Sequence, residues 1–423
     1  MVGDFKRFDM ARKPIPQRPY LTFLIWFVSH FVLWTKHGKI TRKGMEGIKG
    51  PFLLLCNHNA FLDLYVMMAA IFPRRANYVI SIDGYVGREA LLRMVGGICI
   101  RKFTNSIQLV RNMLAAKNKG QVVVLFPEAR YALCGTQAVL PDSLGKMVRM
   151  MNVPVVTLMM HGHHLIHPFW NTRKMRKADR IEAELELMLT AEQTQTLPPD
   201  EINALIREKL VYDEFAWQRE NKVEVRTPKR AEGLHKVLYQ CPHCGTEYRM
   251  TSGGDELWCE ECGKRWTMST IGVLSAKEGE TEFSHVPDWY EWERENVRRE
   301  VEAGTYSLNA RVQIDSLPNA KRFIPLGAGE MTHDAEGFTL RGTCDGVPFE
   351  ERWKPLATYS IHIEYDYIKA RQRDCVDLSN LVDTFYVFPE GRDFSVTKVA
   401  LATEELYEKA VRELRASRAP AAV

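Results

Sequence analysis

The chain has no apolar run long enough to cross a bilayer as a helix. Its longest, Tyr20 to Trp34, is fifteen residues, short of the ~20 that a span requires. A disulfide framework is missing too: nine cysteines is an odd number, which argues against structural pairing and fits a reducing compartment. Nor is there a strong excess of charge, with 57 Lys and Arg against 53 Asp and Glu and a net of +4. So mild a balance permits contact with anionic lipid or an acidic carrier protein and gives no sign of nucleic acid. No small-x-small site follows the apolar run, which argues against a cleaved signal peptide. With 45% hydrophobic and 26% charged residues in 423, the composition excludes a disordered chain or a multi-span membrane protein. The length predicts about two to four domains.

What is present centres on Cys56-Asn57-His58-Asn59-Ala60-Phe61-Leu62-Asp63. It follows the buried-strand pattern Phe52 to Leu55 and precedes an apolar helix over Leu64 to Ala70, with Asn59 placed to cap it. His58 and Asp63 would not share one face of a straight helix. They meet if His58 lies in the loop and folds back over the first helical turn. Asp63 then fixes the imidazole tautomer, and the other ring nitrogen is free to take a proton from a hydroxyl. An isolated His and Asp at this spacing is more often a histidine beside a helix start. Three further blocks give it weight: Gly97 to Lys102, a strand ending in Arg101 and Lys102; Val122 to Arg130, a strand ending in Glu128 and Arg130; and Val153 to Thr157, opened by a proline.

These four blocks, in this order over roughly residues 45 to 190, resemble the glycerolipid acyltransferase family, whose members include the 1-acylglycerol-3-phosphate acyltransferases. The first block matches the family's Asn-His-x4-Asp. The third departs from Phe-Pro-Glu-Gly-Thr-Arg: Ala129 stands in place of the glycine and Arg130 comes one residue sooner. The resemblance implies that His58 is the general base and Asp63 orients it. It implies that Glu128 and Arg130 position the acceptor and that Arg101 or Lys102 neutralises its phosphate. It also implies an acyl-thioester donor, acyl carrier protein or coenzyme A, with a lysophospholipid acceptor and no catalytic cofactor.

Around that region, residues 1–44 form a basic and apolar segment. Lys6, Arg7, Arg12, Lys13 and Arg18 precede the apolar run, and Lys36, Lys39, Arg42 and Lys43 follow it. Cations on both sides of an aromatic segment too short to span predict peripheral, monotopic attachment to the cytoplasmic face of the cell membrane. The competing interpretation is a buried core helix. Residues 45–230 form the acyltransferase domain. Strands are expected at 52–56, 78–82, 97–101, 121–126, 153–160 and 180–188. Helices are expected at 62–72, 87–94, 105–118 and 143–151. That alternation predicts an α/β domain with a largely parallel sheet and a site beyond the carboxyl ends of its strands. The histidines of Met160 to His167 could hold a metal but lack a carboxylate or cysteine to complete a set; a loop beside the site, with one His near substrate phosphate, is the expected role. Val211 to Arg230 is expected to be an extension or linker.

Cys241, Cys244, Cys259 and Cys262 form two C-x2-C knuckles, each followed by glycine. The pattern predicts a zinc ribbon over 236–272 whose four thiolates close the coordination sphere, so the zinc is structural. Residues 273–304 read as a linker helix. Residues 305–423 read as a β-rich domain ending in a helix over about 403–416, a layout that resembles the pleckstrin-homology-like arrangement. Phe388-Pro389-Glu390-Gly391-Arg392 mimics the third block, but no His-x4-Asp lies near it, and Pro-Glu-Gly is ordinary turn chemistry. The function expected is acyl transfer to a lysophospholipid hydroxyl, most directly 1-acylglycerol-3-phosphate giving phosphatidic acid. Its rivals are a catalytically degenerate membrane adaptor, supported by the altered third block, and a metal-dependent esterase built on the histidine stretch.

Overall fold

The computed structural model describes residues 2–172, 176–177, 180–367 and 371–418. In the first half a seven-stranded sheet is built from β1 (Lys39–Lys43), β2 (Leu53–Cys56), β3 (Ala76–Ser81), β4 (Gly97–Ile100), β5 (Val122–Leu125), β6 (Val155–His161) and β7 (Glu182–Leu189), in the order β1-β7-β6-β2-β5-β3-β4. From β6 through β2, β5 and β3 to β4 every pairing is parallel, and β7 closes antiparallel on β6. Leu53–Cys56 and Val122–Leu125 are wholly buried runs, as expected of central parallel strands covered on both faces. The flanking helices Leu62–Ile71, Ile107–Asn118 and Leu144–Met151 fall where the apolar pattern put them. β1 was read from sequence only as part of a basic flank; it pairs parallel with β7.

The four-stranded ribbon sheet comprises β8 (Met250–Gly253), β9 (Glu256–Cys259), β10 (Arg265–Met268) and β11 (Leu274–Ala276). The helix Val286–Glu302 packs against it through Trp289, which meets the ring of Trp266 edge-on at 5.0 Å. The third sheet is antiparallel and again seven-stranded: β12 (Leu308–Ser316), β13 (Ile324–Asp334), β14 (Gly337–Cys344), β15 (Val347–Trp353), β16 (His362–Glu364), β17 (Cys375–Ser379) and β18 (Thr384–Pro389), in the order β15-β14-β13-β12-β18-β17-β16. The closing helix runs Val396–Arg418, starting earlier than Thr403 because Val396, Val399 and Ala400 are already buried against the core.

Two stretches differ from expectation. Val211 to Arg230 is no plain linker: it holds the helix Glu214–Glu220 and the buried side chains of Tyr212 and Phe215. Residues 2 to 18 lie along the protein. Arg7 pairs with Asp383 at 2.6 Å, Phe8 is buried edge-on to Tyr85, and Gln17 accepts the backbone N–H of Ala76. They strap the parallel sheet to the C-terminal one.

The apolar segment is the helix Pro19–Thr35. It lies against the helix Leu62–Ile71 and leaves Tyr20, Phe23, Leu24, Phe27, Phe31 and Trp34 facing outward, with Phe23 74% and Trp34 73% exposed. That spacing is one helical face. A core helix would bury it, so the core interpretation fails. Among the described residues no helix is long and apolar enough to cross a membrane.

Candidate active site

His58 lies in the loop after β2, and Asp63 sits in the first turn of the helix Leu62–Ile71. The loop folds back as its spacing requires. His58 Nδ1 donates to Asp63 Oδ2 at 3.0 Å. That oxygen also accepts the backbone N–H groups of Asn59 at 2.6 Å and Ala60 at 3.0 Å. The helix is thus started by Asp63 reaching back, and Phe61 holds the N-cap position. Asn59 does not cap it; its side-chain amide donates to the Met160 carbonyl of β6 instead. A second imidazole, His163, donates from Nδ1 to Asp63 Oδ1 at 2.6 Å. Burial alone would raise the Asp63 pKa, but hydrogen bonds from His163 and His58 overcome it and bring it to about 2. The His58 ring packs on Phe126 at 4.2 Å and Tyr131 at 4.3 Å. Burial lowers its pKa, with Lys102 acting in the same direction and Asp63 opposing.

His58 opens onto a cavity of about 780 Å³. Its walls are mostly apolar, among them Leu64, Tyr78, Val110 and Met147. Phe61, Ile107 and Met150 line it and are themselves exposed, so its mouth is apolar as well. Tyr359, Tyr365 and Tyr367 from the C-terminal unit complete the wall. Phe103 meets Tyr359 at 5.3 Å across the junction.

Of the other expected residues, Lys102 lines this cavity, half-buried, and forms no ion pair among the described residues. Glu128, Arg130 and Arg101 do not line it. Glu128 is fully buried: it accepts the His58 backbone N–H at 3.0 Å, the Ala138 N–H at 2.8 Å and the Tyr212 hydroxyl at 3.0 Å. Burial raises its pKa to about 8 against those donors. It therefore holds the His58 loop rather than a ligand. Ala129, where the family has glycine, takes φ +55, a left-handed conformation that costs a residue with Cβ about 1–2 kcal/mol. Arg130 turns away to Glu404 of the C-terminal helix at 2.7 Å. Arg101 donates to the Leu317 and Pro318 carbonyls and the Thr384 hydroxyl at 2.9 to 3.0 Å. The expectation that these three groups meet the acceptor is replaced by a structural one, because the appended C-terminal unit occupies both guanidinium groups.

Among the described residues the histidine stretch forms no group that could hold a metal. His161 pairs with Glu214 at 3.0 Å, His163 with Asp63, and His167 Nε2 with the Thr172 carbonyl at 2.8 Å. Sequence reasoning missed His163, Tyr131 and Tyr212. Only the fold brings His163 to Asp63, and Tyr212 fell in the presumed linker.

Among the described residues two groups could hold a metal. One is His362, Glu364 and Asp377, where His362 Nδ1 already bonds Asp377 at 2.7 Å. The other is Cys241, Cys244, Cys259 and Cys262, with Cys241–Cys262 and Cys244–Cys259 Sγ separations of 3.7 and 3.8 Å. A tetrahedron with Zn–S bonds of ~2.3 Å requires sulfurs about 3.8 Å apart, so the cysteines fit zinc. Gly245 and Gly263 take positive φ directly after each knuckle, where the chain must turn its N–H groups toward the thiolates.

The His58–Asp63 pair opens on a mostly apolar cavity beyond a parallel sheet, and residues 35–161 match the family model described as Acyltransferase. That stretch is an acyltransferase domain by family match. Among solved structures the chain is similar to the 1-acyl-sn-glycerophosphate (LPA) acyltransferase PlsC from Thermotoga maritima, at 13% identity and TM-score 0.37, covering 45% of this chain and 77% of that one. No curated protein matches it.

Proposed function

We propose that the protein transfers a fatty acyl group from a thioester donor, acyl carrier protein or coenzyme A, to the hydroxyl of a lysophospholipid. The acceptor implied by the family is 1-acylglycerol-3-phosphate, giving phosphatidic acid. The observation that carries this is the His58–Asp63 pair at 3.0 Å beside a cavity sized for an acyl chain. With Nδ1 committed to Asp63, His58 Nε2 takes the acceptor's hydroxyl proton as its oxygen attacks the thioester carbonyl. The C–S bond then breaks, and the imidazolium returns its proton to the leaving thiolate. Lys102, which lines the cavity along with Arg88 and Lys146, would meet the acceptor's phosphate. The base needs no side-chain nucleophile and no metal step.

The outward face of the helix Pro19–Thr35 would rest in the interfacial layer of the cytoplasmic leaflet, next to the source of the acceptor. Its first residue beyond Pro19, Tyr20, touches Met94, two residues from cavity-lining Leu92. The test is acyl incorporation from both donor types into a panel of lysophospholipids in anionic vesicles. No transfer to any acceptor refutes the proposal. Phe23→Asp with Phe27→Asp should abolish co-sedimentation with the vesicles and spare transfer to detergent-dispersed acceptor. Deleting residues 1–44 is a poorer test, because residues 2–18 strap the two sheets together.

In the ribbon, the four cysteines should hold one zinc per chain, and its role is folding. Cys259→Ser should remove that zinc and speed amide exchange over 237–266, while folded molecules keep their transfer activity. Elemental analysis of active wild-type protein showing no zinc would end this assignment.

A further inference from the structure

The buried face of Asp63 is unexplained by a two-residue dyad. Its Oδ2 serves His58 and two backbone N–H groups, yet Oδ1 is bonded at 2.6 Å by an imidazole from a different part of the chain. His163 lies in a single helical turn, His163–Ile166, directly after β6, which neighbours β2 in the sheet. Gly162 takes φ +84 there, and its N–H is held by Glu214 at 2.7 Å. Glu214 also pairs with His161, so it holds two adjacent residues where the chain enters the turn. His163 is 0% exposed and its Nε2 has no partner among the described residues. A buried polar ring that leaves one nitrogen unsatisfied costs stability. Packing alone would be served better by an apolar side chain.

We propose that His163 is a positioning residue for acyl transfer, holding Asp63 from behind so that its other oxygen stays aimed at His58. This rests on the function proposed above. The bond does two things. It fixes the carboxylate plane, since Oδ1 and Oδ2 are then tied to different strands. It also draws charge toward Oδ1, which limits how strongly Asp63 holds a proton on His58 and so keeps that imidazole available as a base near neutral pH. Charge-assisted hydrogen bonds to carboxylates are the strong ones, and a wholly buried one at 2.6 Å couples the two imidazoles through a single acid.

The test compares His163→Leu and His163→Asn in the full-length protein. Asparagine places its amide N–H near the position of Nδ1–H; leucine fills the space with no donor. His163→Leu should lower kcat on the order of ten-fold, the effect of one charge-assisted hydrogen bond, with the KM for the thioester donor unchanged. It should move the acid limb of the pH profile of kcat/KM to higher pH, because Asp63 would then hold the His58 proton more tightly. His163→Asn should restore both. The His58 imidazole titration, followed by NMR, should shift upward in the leucine variant alone, a readout independent of turnover. A leucine variant with wild-type kcat and an unmoved His58 titration overturns the proposal. So does equal loss in both variants with no change in that titration, since His163 would then matter only for packing. Wild-type protein that transfers no acyl group would sink the proposed function instead, and the NMR titration would still decide the coupling.

Discussion

His58→Ala should lower acyl transfer on the order of 10²–10⁴-fold, the usual contribution of a general base, with the fold and the affinity for lipid unchanged. The other imidazole on the cavity wall, His167, is committed through Nε2 to the Thr172 carbonyl. His163, the other imidazole on Asp63, is fully buried and faces the carboxylate from the far side. The His58 side chain is 22% exposed at the cavity wall, so its removal enlarges an existing space and opens no sealed void. The pH dependence has a definite sign. The base acts when neutral, and burial together with Lys102 lowers its pKa below the ordinary imidazole value despite Asp63. Activity should therefore rise with pH through a limb lying below that value. Steady-state rates of purified wild-type and variant protein across pH check both points. A variant within ten-fold of wild type would eliminate His58 as the base.

The second large effect concerns stability. Glu404→Ala should cost about 3–5 kcal/mol, the usual result of stripping one partner from a buried ion pair. Glu404, on the C-terminal helix, accepts from Arg130 at 2.7 Å, Arg294 at 2.8 Å and the Ser360 hydroxyl at 2.7 Å. Arg130 and Glu404 side chains are 3% and 2% exposed, so alanine would leave the Arg130 guanidinium buried without its anion, while Arg294 keeps Glu291 and Glu405. Burial acts to raise the Glu404 pKa, but Arg130 and Arg294 outweigh it and the net shift is downward. A depressed folded-state pKa contributes stability above the unfolded value and loses it as pH falls through the folded one. Wild type should thus lose this increment on acidification, and the variant should show less of that loss. Urea unfolding at neutral and acid pH measures both quantities. An unchanged midpoint at neutral pH would mean the cluster carries no net stabilisation.

The His58–Asp63 hydrogen bond was legible because its two residues are close in the chain and the flanking apolar runs are unambiguous. Continuous burial of Leu53–Cys56 and Val122–Leu125 needs no knowledge of partners, since any strand inside a parallel sheet is apolar on both faces. The cysteine knuckles were legible for a similar reason: each pair is local, and its turn glycines are adjacent. The Pro389-Glu390-Gly391 block could also be separated, and it proves to end β18 of the antiparallel sheet, with Glu390 accepting from Gln313.

What only the tertiary structure decided are relations between segments far apart in the chain. Arg101 and Arg130 look like ligands for phosphate in a local motif, because a motif records which side chains follow a strand and not what packs over them. Here the C-terminal unit packs over them. The Leu317 and Pro318 carbonyls and Glu404 take both guanidinium groups, since a buried cation must be paired or hydrogen-bonded. Glu128 likewise became a brace for the His58 loop once Tyr212 and Ala138 surrounded it. His163 could not be assigned from its run of histidines, which fits a loop, a metal site or a phosphate contact equally well. Sequence alone determined the domain type, the pairing of His58 with Asp63 and the candidate zinc ligands, because local spacing is enough to define each. Which charges stay open to the cavity, and which hold the protein together, depended on burial, and burial is set by segments distant in the chain: 84 residues away for Glu128 and Tyr212, 216 for Arg101 and Leu317, and 274 for Arg130 and Glu404.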